Sequence, residues 1–142
     1  QDSQKTWAMT LKINFTFDVP RETLESIFIT AIEGGSNYWY YIGDEAVRAI
    51  NNVCPKVSFM AFSERLFTAV YDYDVAVPIH DIEDIDGEPI GIISKETFKE
   101  RLERCGNEGG MWALQQELDE QGDATTSDVV FQYLALNDLV YG

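Results

Sequence analysis

The residues that could carry out catalysis or bind a metal are few and scattered along this chain. His80 is the only histidine, and the two cysteines, Cys54 and Cys105, lie far apart with no CxxC spacing. A zinc site or a Cys–His nucleophile needs such groups to converge, and no paired spacing predicts that here. We therefore expect a structural histidine and two reduced thiols, as in intracellular proteins, with a single disulfide as the alternative.

The acidic stretch DIEDIDGE at 81–88 is the first place to look for a calcium loop. Aligned on that pattern, Asp84 and Asp86 fall at ligand positions, but Ile82 and Ile93 occupy the first and last, where oxygen ligands are needed. The stretch therefore indicates a solvated acidic turn. We expect no dedicated metal site and no cofactor.

Glycine-rich segments could in principle hold phosphates, but neither of the two here has the required partners. Gly34-Gly35 and the segment 106–110 lack a following Lys-Ser/Thr and do not match GxGxxG. The many carboxylates make any chosen acid–base pair arbitrary. With no catalytic motif, we expect the protein not to be an enzyme.

A run of aromatic residues follows the double glycine in EGGSNYWYY at 33–41. Four consecutive aromatic side chains cannot all face inward on a helix or a strand, because both periods send neighbours in different directions. Tyr and Trp combine apolar area with a hydrogen-bonding tip, as contact sites require. The alternative is that Trp39, together with Tyr38, anchors the core while the other aromatic residues rim the surface. As a contact site, this segment supplies six candidate binding residues, and the acidic stretch supplies four more. They are Ser36, Asn37, Tyr38, Trp39, Tyr40, Tyr41, Asp81, Glu83, Asp84 and Asp86.

Net charge is the strongest bulk property of the 142-residue chain, at −15 with 25 acids and 10 bases. Residues 1–60 carry 7 acids and 5 bases, residues 61–94 carry 8 and 1, and residues 95–142 carry 10 and 4. Such a field repels nucleic-acid phosphates and anionic membranes. We therefore expect no direct nucleic-acid or membrane partner, and attraction to a basic protein surface.

The elements that must position these residues form an α+β pattern. Perfect alternation over 6–17, with Trp7, Met9, Leu11, Ile13, Phe15 and Phe17 on one side, predicts a long half-buried strand. The Asp-Gly turn predicts an acidic β-hairpin with its strands at 75–82 and 89–94. Helical spacing predicts helices beginning near Pro20, Asp44, Ser63 and Ser94, a further helix over 110–120, and a last one beginning at Thr125 or Thr126. We expect one domain over 1–142, with a small mainly antiparallel sheet packed against several helices.

Two short patterns resemble a group of small uncharacterised proteins encoded by bacteriophages and prophages. Those proteins similarly have an EGG-x-x-YW segment, here beginning at Glu33, and a T-x-D-x-x-x-Q … YG end, here Thr126, Asp128, Gln132 and Tyr141-Gly142. The resemblance implies expression in the cytoplasm of an infected bacterium. It implies no activity and assigns no catalytic residue.

These observations lead to a ranked set of hypotheses about function. The first is a phage accessory protein that binds a host or phage protein without catalysis, and that inhibits a nucleic-acid-binding or defence protein through its acidic surface. The second is a small-molecule binder, in which the aromatic residues of 36–41 stack on a nucleotide-like ring. The third is a homo-oligomeric structural protein, with the surplus aromatic residues buried between copies.

Overall fold

A computed structural model describes residues 9–142 of the chain. Within that range the helices are α1 (Arg21–Thr30), α2 (Asp44–Val53), α3 (Phe62–Tyr73), α4 (Phe98–Glu108), α5 (Met111–Leu118) and α6 (Ala124–Leu136). The strands are β1 (Tyr40–Tyr41), β2 (Val77–Asp81) and β3 (Gly91–Ile93). The fold is α+β, as the sequence predicted.

A small antiparallel sheet has the strand order β1-β2-β3. Its β2–β3 pair is the predicted hairpin, with a turn in which the Gly87 amide donates to the Asp84 carbonyl at 3.1 Å. Pro78 lies in the middle strand, yet β1 pairs only with His80 and Asp81. Pro78 therefore has a strand neighbour on one side alone, which suits a residue with no amide hydrogen.

The hydrophobic core is built around α6, which packs against α1, α4, α5 and β3. This helix is apolar on nearly all sides because its residues 126–135 are buried. Gly91 allows β3 to approach it closely, since a Cβ at this position would lie 2.2 Å from the Ala135 carbonyl oxygen. Phe28 of α1 lies at the centre, within 5.2–5.8 Å of the rings of Phe67, Phe98 and Phe131.

The helices follow the predicted spacing, but several begin at a different cap. Asp123, rather than Thr125 or Thr126, caps α6, and Thr126 completes the capping box by accepting from the Asp123 amide. Helix α3 begins at Phe62, and Ser63 donates to Glu33 instead of capping. In both cases a carboxylate is the acceptor: Asp123 accepts from the Thr126 amide, and Glu33 accepts from the Ser63 hydroxyl. A charged acceptor forms a stronger hydrogen bond than a neutral one.

The long N-terminal strand predicted over 6–17 is wrong for residues 9–17, and residues 6–8 lie outside the described range. Residues 10–17 pair with no strand, and five apolar side chains of the alternating pattern are exposed: Met9, Leu11, Ile13, Phe15 and Phe17. Alternation identifies the face that a partner would cover, but the sheet of this chain offers the segment no neighbouring strand. The sheet therefore contains the two strands of the predicted hairpin but not the predicted long strand.

Across residues 9–142, none of the helices has both the length and the apolar character required to cross a lipid bilayer.

Candidate functional site

The carboxylate of Asp128 is the centre of a buried hydrogen-bond network. Its Oδ1 accepts from the Ser36 hydroxyl at 2.7 Å and from the Trp39 indole at 2.8 Å. Its Oδ2 accepts from the Tyr38 hydroxyl at 2.6 Å and from the Gln132 amide at 3.2 Å. We call these five residues, together with Tyr141, the Asp128 cluster.

Local backbone geometry brings the aromatic segment to Asp128. Helix α1 continues into a wider π-helical turn over Ala31–Gly35, which ends at Ser36. Gly35 lies against the first turn of α6, where a Cβ would stand 2.7 Å from the Ala124 carbonyl oxygen. A glycine is therefore required for the segment to approach the helix that presents Asp128.

The chain end is fixed by the same cluster through Gln132, one helical turn beyond Asp128. The Gln132 Oε1 accepts from the amides of Val140 and Tyr141 at 2.9 and 2.8 Å, and its Nε2 donates to the Tyr141 carbonyl at 3.1 Å. The Tyr141 ring stacks on Trp39 with centroids 5.2 Å apart, and its hydroxyl donates to Asp81 at 2.8 Å. The two motifs of the sequence and the end of the chain therefore meet in one place.

The chemistry of the Asp128 cluster is that of a structural network. Burial, followed by the hydrogen bond to Asp128, raises the pKa of Tyr38 to about 12. Burial, followed by the hydrogen bond to Asp81, raises the pKa of Tyr141 to about 12. Both phenols therefore stay protonated near neutral pH and act as donors, so neither is poised to abstract a proton. Asp128, which accepts four hydrogen bonds, is held as an acceptor rather than presented to a substrate.

An open groove of about 320 Å³ lies beside β1, next to the Asp128 cluster. Its lining is mainly apolar and aromatic, and consists of Asn37, Tyr40, Tyr41, Ile42, Val47, Phe62 and Ile82. None of these seven side chains is cationic, so the groove itself offers no counter-charge to a phosphate. We refer to it as the β1 groove.

The acidic hairpin, residues 81–88, borders this groove through Ile82. Glu83, Asp84 and Asp86 are exposed, and so are the isoleucines between them, Ile82 and Ile85. The hairpin therefore exposes apolar side chains and carboxylates next to each other along the chain.

The carboxylate of Asp81, at the base of the acidic hairpin, is held in place by two hydrogen bonds. Its Oδ1 accepts from the Glu83 amide at 2.8 Å and its Oδ2 from Tyr141. The Glu83 amide, with a further contribution from Tyr141, holds the pKa of this carboxyl below its usual range. Asp81 therefore anchors the hairpin to the Asp128 cluster and is committed to that contact.

Groups that could ligate a metal do not cluster in the part of the chain that is described. Over residues 9–142, no three or more His, Cys, Asp or Glu side chains lie together in an arrangement that could hold an ion. The His80 Nδ1 lies 3.0 Å from the Gly87 carbonyl oxygen, within the hairpin. Both cysteines are free thiols, and burial raises the pKa of Cys105 to about 12, so it is an unreactive core residue.

The structure divides the ten residues proposed from the sequence between three environments. Ser36, Tyr38 and Trp39 belong to the Asp128 cluster, where Trp39 is 1% exposed and Tyr38 is 50% exposed. Asn37, Tyr40 and Tyr41 line the β1 groove. The remaining four, Asp81, Glu83, Asp84 and Asp86, lie on the acidic hairpin.

Sequence reasoning did not select Asp128 or Gln132 as site residues. Their spacing of four, within a stretch of helix that is otherwise apolar, was the available signal, because it places both polar groups on one helix face. Which residues they would meet was not predictable, since their partners lie about 90 positions away along the chain.

Comparisons with protein-family models, with curated proteins and with solved structures found no match to this chain.

Proposed function

We propose that this protein acts without catalysis, by binding another protein that has a basic surface. The observation that supports this most strongly is the acidic hairpin, in which exposed carboxylates flank exposed isoleucines along the chain. Apolar area supplies affinity once water is removed from it, while surrounding charge selects the partner and speeds encounter. A surface with both features suits a protein partner better than a nucleic acid or an anionic membrane.

The charge of the whole chain supports a basic partner. Of the 25 acids, 18 lie in residues 61–142, against 5 bases in the same range. In this range the described ion pairs include Arg104–Glu108, which neutralises one acid locally, while Glu83, Asp84 and Asp86 remain solvent-exposed. The negative field therefore extends into solvent and attracts lysine- and arginine-rich surfaces over about one Debye length, roughly 8 Å at physiological salt.

The biological setting belongs to the same proposal. We place the protein among accessory factors of bacteriophages or prophages, acting in the cytoplasm of the infected cell on a nucleic-acid-binding or defence protein. The resemblance of the EGG-x-x-YW and T-x-D-x-x-x-Q patterns supports this setting. A basic nucleic-acid groove is a suitable target because carboxylates on the hairpin would occupy positions otherwise taken by phosphates.

The test compares two variants that lose the same charge from different surfaces. The first carries Glu83→Gln, Asp84→Asn and Asp86→Asn on the acidic hairpin. The matched control carries Glu96→Gln, Glu100→Gln and Glu103→Gln, three acids that are exposed on and just before α4. Each is used with the wild type to capture proteins from bacterial lysate at low and at high salt.

We expect the wild type and the α4 control to capture the same basic protein at low salt, and the hairpin variant to lose it. High salt should release that protein from both, because screening weakens exposed charge contacts. Capture that is equal for the hairpin variant and the control, or that does not change with salt, would contradict recognition through the hairpin.

A further inference from the structure

Residues 9–17, which we call the arm, have the apolar pattern of a strand but pair with no strand within residues 9–142. Leu11 is 82% exposed and Phe15 is 76% exposed, although both belong to the face that alternation marks for burial. Such an extended, exposed apolar segment is the kind of element that adds to the sheet of another molecule. The arm therefore needs a receptor.

The β1 groove has the features of such a receptor. The strand order β1-β2-β3 leaves the outer side of β1 without a strand neighbour within residues 9–142. The register pairs Tyr41 with His80, and the Ile82 amide donates to the Trp39 carbonyl, so the backbone groups of Tyr40 between them point away from β2. The Tyr40 amide donates to the Ser36 carbonyl at 3.4 Å, so the Tyr40 carbonyl is the backbone group that this edge offers to an added strand. Beside that outer edge lies the apolar lining of the groove, with Ile42, Val47 and Phe62.

We propose that the β1 groove binds the arm of a second copy of this chain, which lies along the outer edge of β1 with its apolar side chains in the groove. The exchange is reciprocal in a twofold dimer, so each copy gives one arm and receives one. This contact goes beyond the proposed function, because it uses the groove and the arm rather than the carboxylates of the acidic hairpin.

Charge complementarity favours a copy of this chain as the partner. The arm contains Lys12 and no acid, whereas residues 18–142 carry 24 acids and 8 bases. Acids also lie next to the groove in sequence, with Asp44 and Glu45 following Ile42 and Glu83 following Ile82. A strongly acidic body repels a second identical body, but each body attracts the basic arm of the other.

The reach of the chain keeps only the root of the arm out of the groove of its own chain. Helix α1 lies antiparallel to α3, since Arg21 pairs with Asp72 at one end and Glu33 accepts from Ser63 at the other. The arm joins α1 at the Arg21 end, while the groove lies at the opposite end with Phe62. About 18 Å of helix separates the two ends at 1.5 Å per residue. Phe17 reaches at most about 14 Å from Arg21 and cannot enter the groove of its own chain, whereas the residues from Phe15 outward are far enough along the chain to reach it. Folding back therefore predicts a monomer, and exchange predicts a dimer.

The apolar area of the arms is large enough for a stable dimer. Aromatic side chains bury about 150–250 Å² each, so the two phenylalanines and three aliphatic side chains on each arm bring the two arms to roughly 1,000 Å². With the groove surface that they would cover, the contact reaches the range of specific interfaces, about 1,200–2,000 Å².

The experiment measures the molar mass of the full chain by light scattering over a series of concentrations. The arm variant carries Ile13→Ser and Phe15→Ser, and the matched control carries Thr10→Ser and Thr16→Ser on the polar face of the same arm. We expect dimers for the wild type and the control, and a dimer dissociation constant raised at least about a hundredfold for the arm variant, because two anchors are lost from each arm. A monomeric wild type, or an arm variant that dimerises like the wild type, would overturn the proposal.

A second measurement identifies the groove as the receptor. A groove variant, Val47→Asp, should also be monomeric while its circular dichroism stays that of the folded protein. If Val47→Asp disturbs the fold, Tyr41→Asp, at a half-buried position on the other side of the groove, replaces it. Mixing the arm variant with the groove variant should give a heterodimer at high concentration, since one intact arm then meets one intact groove.

The heterodimer has one arm–groove contact where the wild-type dimer has two, so it is sought at concentrations well above those that fully dimerise the wild type. Its absence there would exclude the arm–groove contact. The result is separate from the lysate experiment, because the arm and groove variants retain all the carboxylates of the acidic hairpin. A monomeric wild type that still captures its basic partner through the hairpin would overturn the exchange of arms and leave the proposed function in place.

Discussion

The arm and the aromatic segment 36–41 are both rich in large apolar side chains, yet the structure treats them in opposite ways. The arm alternates like a buried strand and is exposed, with Leu11 and Phe15 open to solvent. The aromatic segment was predicted either to form a contact surface or to anchor the core through Trp39, and Trp39 is buried in the core. The difference lies in partners: Trp39 contacts Asp128 and Tyr141, whereas the arm pairs with no strand within residues 9–142.

The comparison shows what an apolar pattern specifies. Periodicity tells which side chains share a face, but burial also requires a second surface with the right shape and with partners for the polar groups. In the aromatic segment a single carboxylate satisfies a hydroxyl, a phenol and an indole at once. Substitutions in the two regions, and a change to high pH, test whether the aromatic segment and the arm differ in this way.

Removal of the central carboxylate should have the largest effect. Asp128→Ala leaves the buried donors of Ser36 and Trp39 without an acceptor, and each such group costs about 1–3 kcal/mol. We expect the free energy of unfolding to fall by about 3–5 kcal/mol in urea denaturation. Glu103→Ala, at an exposed helix position, is the control and should change it by less than about 0.5 kcal/mol.

A milder loss from Asp128→Ala, similar to that of Glu103→Ala, would mean that the network contributes little to stability. In that case the aromatic segment would be free to leave the core, and the contrast with the arm would disappear. Asp128→Asn is a milder change to the same network, because the side chain keeps its shape and one acceptor oxygen while it loses its charge.

Gln132→Ala should have the next largest effect, since this side chain holds both Asp128 and the end of the chain. The variant loses bonds to Val140 and Tyr141 and leaves space in the core, which we expect to cost about 2–3 kcal/mol. Hydrogen exchange should also show faster exchange of the Val140 and Tyr141 amides. Gln115→Ala, on the exposed face of α5, is the matched control, and equal losses in the two variants would contradict the role of Gln132.

High pH should weaken the cluster but not the arm. The pKa of Tyr38 and of Tyr141 rises to about 12 in the folded protein, from an ordinary value of 10. The unfolded chain then releases these protons first, so stability is fully present below pH 10 and falls as the pH rises to about 12. Cys105, raised to about 12 from 9, begins the same loss at pH 9.

Tyrosine absorbance measured against pH provides the readout for that prediction. Tyr38 and Tyr141 should ionise near pH 12, and Tyr38→Phe should remove one of these two contributions. Burial also raises the pKa of Tyr40 and of Tyr133, so the Tyr38 contribution is read from the difference between the wild type and the variant. Tyr73→Phe, at an exposed position with no described hydrogen bond, should leave the late component unchanged. Ionisation of Tyr38 together with the exposed tyrosines would show that its bond to Asp128 does not persist in solution.

The arm should give the smallest effect on folding of the single chain. Ile13→Ser with Phe15→Ser removes two large apolar side chains, but both are exposed, so the free energy of unfolding of the monomer should change by less than about 0.5 kcal/mol. The measurement is urea denaturation at protein concentrations low enough for the chain to be monomeric. A loss of several kcal/mol would place the arm in the core of its own chain.

Much of the scaffold was predictable because its signals are local. The Asp-Gly turn gave the hairpin, helical spacing gave the six helices, and composition gave the acidic surface. Caps were less predictable: Thr125 or Thr126 was expected to begin α6, but Asp123 does so because its carboxylate accepts from the Thr126 amide. The fate of 9–17 was missed because alternation is equally strong whether or not a strand lies alongside.

The candidate site was predicted only in part. Asn37, Tyr40 and Tyr41 line a groove, as a contact site requires, whereas Ser36 and Trp39 are occupied by Asp128. Their partner could not be identified from the sequence because contacts over some 90 positions depend on how α1 and α6 pack. Aromatic residues that are adjacent within the segment 36–41 therefore lie in different environments.

The helices, the hairpin and the negative charge follow from residues that are close in the chain or from composition alone. Which apolar residues are buried, and which polar residues meet, depends instead on how distant elements pack. Burial requires two surfaces, and a buried carboxylate is stable only where several donors converge on it. Asp128 has such donors and holds the aromatic segment in the core, whereas the arm has the pattern of a strand but no second surface within residues 9–142.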